Sequence, residues 1–172
     1  MILVALSVMG CNGKHNDEQF TSKKISKKAT FVVNESIEKV FPLFGAFEER
    51  KWAPHWEPEL IYPNKEIIQE GTAFKHKGHG HGSESETLWI VSKFEPQSNL
   101  IQYLVSTENR FWTITVECVS VQNINKTNTT VTYAFTGLNS KGNDLNEKAL
   151  EMMFKKNLQD WADLVNGYFQ KQ

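Results

Sequence analysis

The sequence predicts an α+β domain: a curved antiparallel sheet of about six to seven strands around a long C-terminal helix. Three observations carry this expectation. Short β-branched and aromatic runs succeed one another from residue 59 to residue 137, with turn residues between them. One long apolar stretch at helical spacing closes the chain. The 172 residues, 40% hydrophobic and 23% charged, suffice to bury one core and leave little length for a second.

Residues 29–35 (ATFVVNE) read as the first strand. Ser36 follows at a helix N-cap position, with Glu38 in the first turn, where a carboxylate complements the helix dipole. Val40, Phe41, Phe44 and Phe47 recur at helical spacing, but Pro42 removes a backbone hydrogen bond, so a kinked or short helix is expected. Residues 50–58 (RKWAPHWEP) are proline-broken and read as a turn or loop. Strands are expected at 59–62, 72–77, 86–94, 100–107, 111–121 and 129–137. Their connections carry turn chemistry, as in Pro63-Asn64, Gly78 to Gly82 and Pro96 to Asn99. The alternation Trp112, Ile114, Val116, Cys118 slips phase to Val119 and Val121, which predicts a β-bulge near Cys118. From about Asp144 to Phe169 there is no Pro, and no Gly before Gly167. Ala149, Met152, Met153, Trp161, Leu164 and Val165 fall mostly at three- and four-residue steps, predicting one helix roughly 35–40 Å long.

The N-terminus has a different character. Residues 1–10 (MILVALSVMG) are apolar or small, too short to span a bilayer, which takes about 20 residues, and of signal-peptide length. Val8, Met9, Gly10 and Cys11 resemble the lipobox of a bacterial lipoprotein signal. That resemblance makes 1–11 a signal and Cys11 the lipidated residue. No Lys or Arg precedes the run and Met9 is bulkier than usual there, so a buried N-terminal strand is the alternative reading. Residues 12–25 are polar and aperiodic, as a tether is, leaving 26–172 as the domain. The expected location is the cell envelope, outside the cytoplasm and held to a membrane through Cys11; if the leader is not a signal, it is the cytoplasm.

Nineteen Lys and Arg nearly balance twenty Asp and Glu, so no global charge draws the chain to nucleic acid. The basic run Lys23, Lys24, Lys27, Lys28 reads as a solvated lead-in to the first strand. Cys118, within an apolar strand, reads as a small core residue, and nothing suggests a disulfide framework.

The element order and local stretches resemble the START/Bet v 1-like (SRPBCC, polyketide cyclase-like) superfamily, in a bacterial branch without assigned activity. The resemblance covers Lys28 to Gln172. It rests on VNESIEKVFPLF, HWEPELIYP, GTAF, LWIVSKFEP, IQYLVS and VTYAFTGLNSKGN, the last followed by a helix with Trp161. It implies the helix-grip fold and a cavity between sheet and helix. Phe44, Trp52, Trp56, Phe74, Trp89, Tyr103, Trp112, Tyr133, Phe135, Met153, Phe154 and Trp161 are the residues available to line one. Of these, Trp52, Trp56, Phe74, Trp89, Tyr103, Trp112, Tyr133, Met153 and Trp161 are the expected ligand contacts. The same residues serve equally to fill a core.

Two polar groups stand out. HKGHGHGSESE brings His76, His79 and His81 near Glu84 and Glu86, donor types that suit a transition metal. The stretch is also glycine-rich and falls at a hairpin tip, where polar residues are ordinary. His55 and Glu57 lie beside Trp52 and Trp56, a combination able to form an acid–base pair at a pocket mouth together with Tyr103. No nucleophile elbow, phosphate loop or dinucleotide fingerprint is present. The function expected is binding of an apolar or amphipathic small molecule, without a cofactor. The alternatives are a polyketide cyclase/dehydratase-like enzyme using His55, Glu57 or Tyr103, and a cell-envelope interaction protein with a filled core.

Overall fold

The computed structural model describes residues 20–77, 86–122 and 125–172. Seven strands, β1 (Lys24–Val33), β2 (Glu59–Tyr62), β3 (Ala73–Lys77), β4 (Glu86–Glu95), β5 (Leu100–Ser106), β6 (Arg110–Ser120) and β7 (Thr127–Gly137), form one antiparallel sheet in the order β1-β7-β6-β5-β4-β3-β2. From β2 to β7 each strand pairs with its successor, as short connections favour. β1 and β2 are neighbours in sequence yet stand at opposite edges, so the segment between them has to cross the sheet. It does so through α1 (Ile37–Val40), a 3₁₀ turn at Phe41–Phe44 and a second 3₁₀ turn at Glu49–Lys51. The first helix is short, as Pro42 predicts, and Ser36 occupies its N-cap position without a side-chain capping bond.

Cross-strand register sets the inward rows. Val91 pairs with Tyr103, Tyr103 with Ile114 and Ile114 with Tyr133, a continuous row over four strands. A second row runs Trp89, Val105, Trp112, Phe135. Such rows are the unit that stabilises a sheet face.

Four expectations are corrected. The C-terminal helix is two helices, α2 (Ser140–Met153) and α3 (Gln159–Phe169). The chain breaks at Asn157 and Leu158, both in the left-handed region, with φ of 49° and 59°. Asn tolerates that conformation and ends helices with it. The two pieces then pack differently: Phe154 meets Tyr133 edge-on at 5.9 Å, and Trp161 stacks on Phe44 at 6.5 Å. α2 also starts earlier than predicted, because the Asn139 side chain accepts a hydrogen bond from the Gly142 amide at 2.9 Å. Gly142 is required there, since a Cβ would lie 1.9 Å from the Asn109 carbonyl oxygen.

No bulge occurs at Cys118, where β6 stays in register with β7 from Arg110 to Ser120; Val119 simply faces solvent. The irregularities lie instead between Leu60 and Tyr62 and between Val91 and Lys93. Finally, the strand begins at Lys24, so the end of the segment read as a tether belongs to the sheet. The lysines are exposed as expected, but along an edge strand, where they discourage pairing with another chain. Cys118 is a core residue, and burial pushes its thiol up to about 12.

Candidate functional site

Between the sheet and α3 lies a cavity of about 280 Å³. Its lining comes from three places that the topology brings together. The crossing segment supplies Glu49, Trp52, Ala53, Pro54 and Trp56. The inward rows of β4 to β7 supply Trp89, Tyr103, Ile114, Val116 and Tyr133, and α3 supplies Trp161 and Leu164. Among the lining residues Glu49 is the one carboxyl, and none is a Lys, Arg or His.

Glu49 sits in a helical turn that accepts and donates locally. Its amide donates to the Gly45 carbonyl at 3.0 Å, and its carbonyl accepts from the Ala53 amide at 2.8 Å. That geometry turns Glu49 and Trp52 inward, with 8% and 6% of their surfaces exposed. Burial, with no partner to offset it, pushes the Glu49 carboxyl well above the usual carboxylate range and favours its protonated form. The Tyr103 phenol is raised by its own burial first and by Glu49 second, and the same order holds for Tyr133. Both phenols therefore stay protonated across the neutral range.

The walls are tied down by hydrogen bonds that point away from the void. The indole N–H groups of Trp52 and Trp56 donate to the carbonyls of Leu43 at 2.7 Å and Ala46 at 2.5 Å. The Trp89 indole donates to the Thr87 hydroxyl at 2.9 Å, and the Tyr103 hydroxyl to the Phe44 carbonyl at 2.7 Å. Edge-to-face contacts, such as Trp56 on Trp89 at 5.3 Å, lock the rings against one another. The cavity is thus built from fixed rings, which lowers the ordering cost of binding.

Six of the nine expected contact residues meet at this cavity: Trp52, Trp56, Trp89, Tyr103, Tyr133 and Trp161. Three do not line it. Phe74 is fully buried and packs against Trp56, Trp89 and Tyr103, outside the lining. Trp112 stacks on Phe135 at 5.4 Å and lies under the Arg110 guanidinium. Met153 borders a separate depression with Lys155 and Asp160, on the far side of Trp161. Phe44, Phe135 and Phe154 fill core around the cavity without lining it.

His55 and Glu57 are not in the cavity. They are exposed in a polar cleft of about 220 Å³ at the sheet edge, with Glu59, Lys75, His76, Lys77 and Glu86. His79, His81 and Cys11 lie outside the described residues. Among the described residues no cluster of three His, Cys, Asp or Glu side chains is arranged to hold a metal. No helix among them is long and apolar enough to cross a membrane. Sequence reasoning missed Glu49. The available signal was its phase: it falls four residues after Gly45 and three before Trp52, on the apolar side of a helical turn.

The architecture is the Bet v 1-like helix-grip fold, shared with polyketide cyclases, here with an aromatic cavity between sheet and helix. Norcoclaurine synthase from Thalictrum flavum, in a structure with dopamine and hydroxybenzaldehyde, is similar with a TM-score of 0.63 at 11% identity, over 100% of this chain and 98% of that one. The Zhui aromatase/cyclase from Streptomyces sp. R1128 gives 0.62 at 12% identity, over 84% and 93%. Ara h 8.0201 gives 0.56 at 13% identity, over 87% and 100%. At these identities the likeness establishes the fold. No family model matches the chain, and no curated protein sequence matches it.

Proposed function

We propose that this protein binds an apolar or amphipathic small molecule in the cavity between the sheet and α3. The observation that carries the reading is a preformed void of about 280 Å³ walled by rings whose polar atoms are mostly engaged elsewhere. An engineered apolar cavity of about 150 Å³ holds benzene, so this one has room for a one- or two-ring compound. The fold likeness to norcoclaurine synthase, solved with two small molecules, supports the same class of partner.

Calorimetric titration with 2-naphthol tests it. Saturable one-to-one binding with a Kd on the order of 10 μM is expected from the size of the probe. Val116→Phe, which fills the void, should abolish it. Absence of saturable heat with the unsubstituted protein would sink the proposal.

A catalytic reading, cyclase- or dehydratase-like, now rests on Glu49, Tyr103 and Tyr133, which converge on the void, and not on His55 and Glu57. It requires turnover of an enolisable aromatic ketone that Glu49→Gln removes; binding without turnover leaves the binding module. The lipid anchor at Cys11 and an envelope location are part of the same proposal. Their support is the apolar leader ending at Gly10-Cys11. Incorporation of labelled palmitate by the full chain, lost in Cys11→Ser, is the expected result.

A further inference from the structure

The cavity is apolar in area but not in chemistry, because one buried carboxyl opens into it with nothing to satisfy it. Glu49 makes no hydrogen bond or ion pair among the described residues, and burial is the sole influence acting on its ionisation. A buried acid in that state is costly to a fold unless a partner arrives. Mere packing is served better by Leu or Met, so the question is what partner the surroundings fit.

The walls narrow the answer. No Lys, Arg or His lines the cavity, so an anionic ligand would find no cationic counter-charge there. The indole N–H groups of Trp52, Trp56 and Trp89 are committed to protein acceptors, which leaves these rings presenting carbon and π-density. A ligand rich in acceptors would find two donors at most, the Tyr133 hydroxyl and the protonated Glu49 carboxyl. A cation would find a counter-charge in Glu49, aromatic rings around it, and the Tyr133 hydroxyl, which makes no hydrogen bond among the described residues.

We propose that the cavity selects a small aryl-alkyl amine, bound as its ammonium ion, with Glu49 as counter-ion and the tryptophan rings as walls. The inference rests on the binding-module reading above and narrows its ligand class. The titratable groups facing Glu49 are Tyr103 on β5 and Tyr133 on β7, both held in their neutral forms by burial. Glu49 is therefore the group that ionises as the ammonium enters, releasing its proton to the buffer. The volume of about 280 Å³ limits the ligand to one or two rings with a short amine arm.

The test compares phenethylamine with 2-phenylethanol, which share shape and differ in charge, by calorimetry on the full chain at neutral pH. The amine should bind at least about tenfold tighter, a preference typical of a desolvated charge pair. Its binding should release a measurable fraction of one proton, read from titrations in buffers of different ionisation enthalpy. Glu49→Gln should erase the preference by weakening the amine by at least about tenfold. Equal or tighter binding of the alcohol overturns the amine proposal and leaves the binding module standing. Failure of both probes to bind the unsubstituted protein overturns both. The comparison of the two probes on the unsubstituted protein decides the matter even where the Gln variant folds poorly.

Discussion

Two concavities meet at Trp56, and they are opposite in kind. On one side the ring lines the apolar cavity with Glu49; on the other it meets His76, tilted, at 4.1 Å, and His76 lines the polar cleft with His55 and Glu57. The cleft holds seven side chains that ionise or can carry charge, three of them basic or imidazole on β3, and opens to water. The cavity holds one carboxyl among apolar walls. In the cleft, neighbouring charges of both signs and solvent spread any electrostatic effect thin. In the cavity, a single carboxyl dominates because nothing shares its field. Chemical consequence here follows from burial and isolation, not from the number of reactive side chains.

The largest effect that would break this contrast comes from loosening the apolar side. Phe44 is fully buried and holds three rings at once: Phe31 at 6.4 Å, Trp52 at 5.7 Å and Trp161 at 6.5 Å. Two of these rings line the cavity, so Phe44 sets the position of its crossing segment and of α3 together. Phe44→Ala should cost about 3–5 kcal/mol in urea denaturation, the usual range for removing a buried aromatic ring. A loss under about 1 kcal/mol, far outside that range, would mean the apolar side is not held by its rings.

A smaller effect sharpens the contrast by reading Glu49 through pH. Its folded-state value is raised above the ordinary 4.5, so the folded chain keeps a proton that the unfolded chain gives up. Stability therefore falls as pH rises from the ordinary carboxyl range toward the raised value, by at most about 1.4 kcal/mol per pH unit, and is level beyond it. Below the ordinary range both states are protonated and the effect vanishes. Glu49→Gln has no such proton to lose. Melting temperatures of the two proteins should diverge with rising pH, the Gln variant becoming the more stable relative to the unsubstituted chain. Parallel curves would show that Glu49 ionises freely.

The sheet was largely legible in the sequence because its signals are local. The predicted strand 59–62 is β2 as observed, and the others differ only at their ends, since turn chemistry brackets each apolar run. Six cavity-lining aromatics were legible for a similar reason: large rings on alternating or helical faces must point inward somewhere. What was not legible depends on tertiary fit. The break at Asn157-Leu158 carries no Pro or Gly, and the sequence Lys155-Lys156-Asn157 reads as a continuing polar helix face. Only the packing of Phe154 on Tyr133 and of Trp161 on Phe44 gives each helix its own place. His55 and Glu57 attracted notice by residue type, while Glu49, in the run Glu48-Glu49-Arg50, looked like a solvated face. Its neighbours there divide as such a face should: Arg50 pairs with Glu66 and Lys51 with Glu48, whereas Glu49 turns inward.

The smallest expected effect tests the cleft itself. Glu57 is exposed, and no hydrogen bond or ion pair ties its side chain to the described residues. Glu57→Gln should change stability by less than about 0.5 kcal/mol, as exposed substitutions do. It should leave the binding of an aromatic probe within about twofold, because Trp56 stands between the two concavities and is fixed by its bond to the Ala46 carbonyl. A loss of probe binding comparable to that of a cavity variant would show that the partition is not a partition. The two concavities would then be one site, with the cleft as its mouth and its histidines within reach of whatever enters.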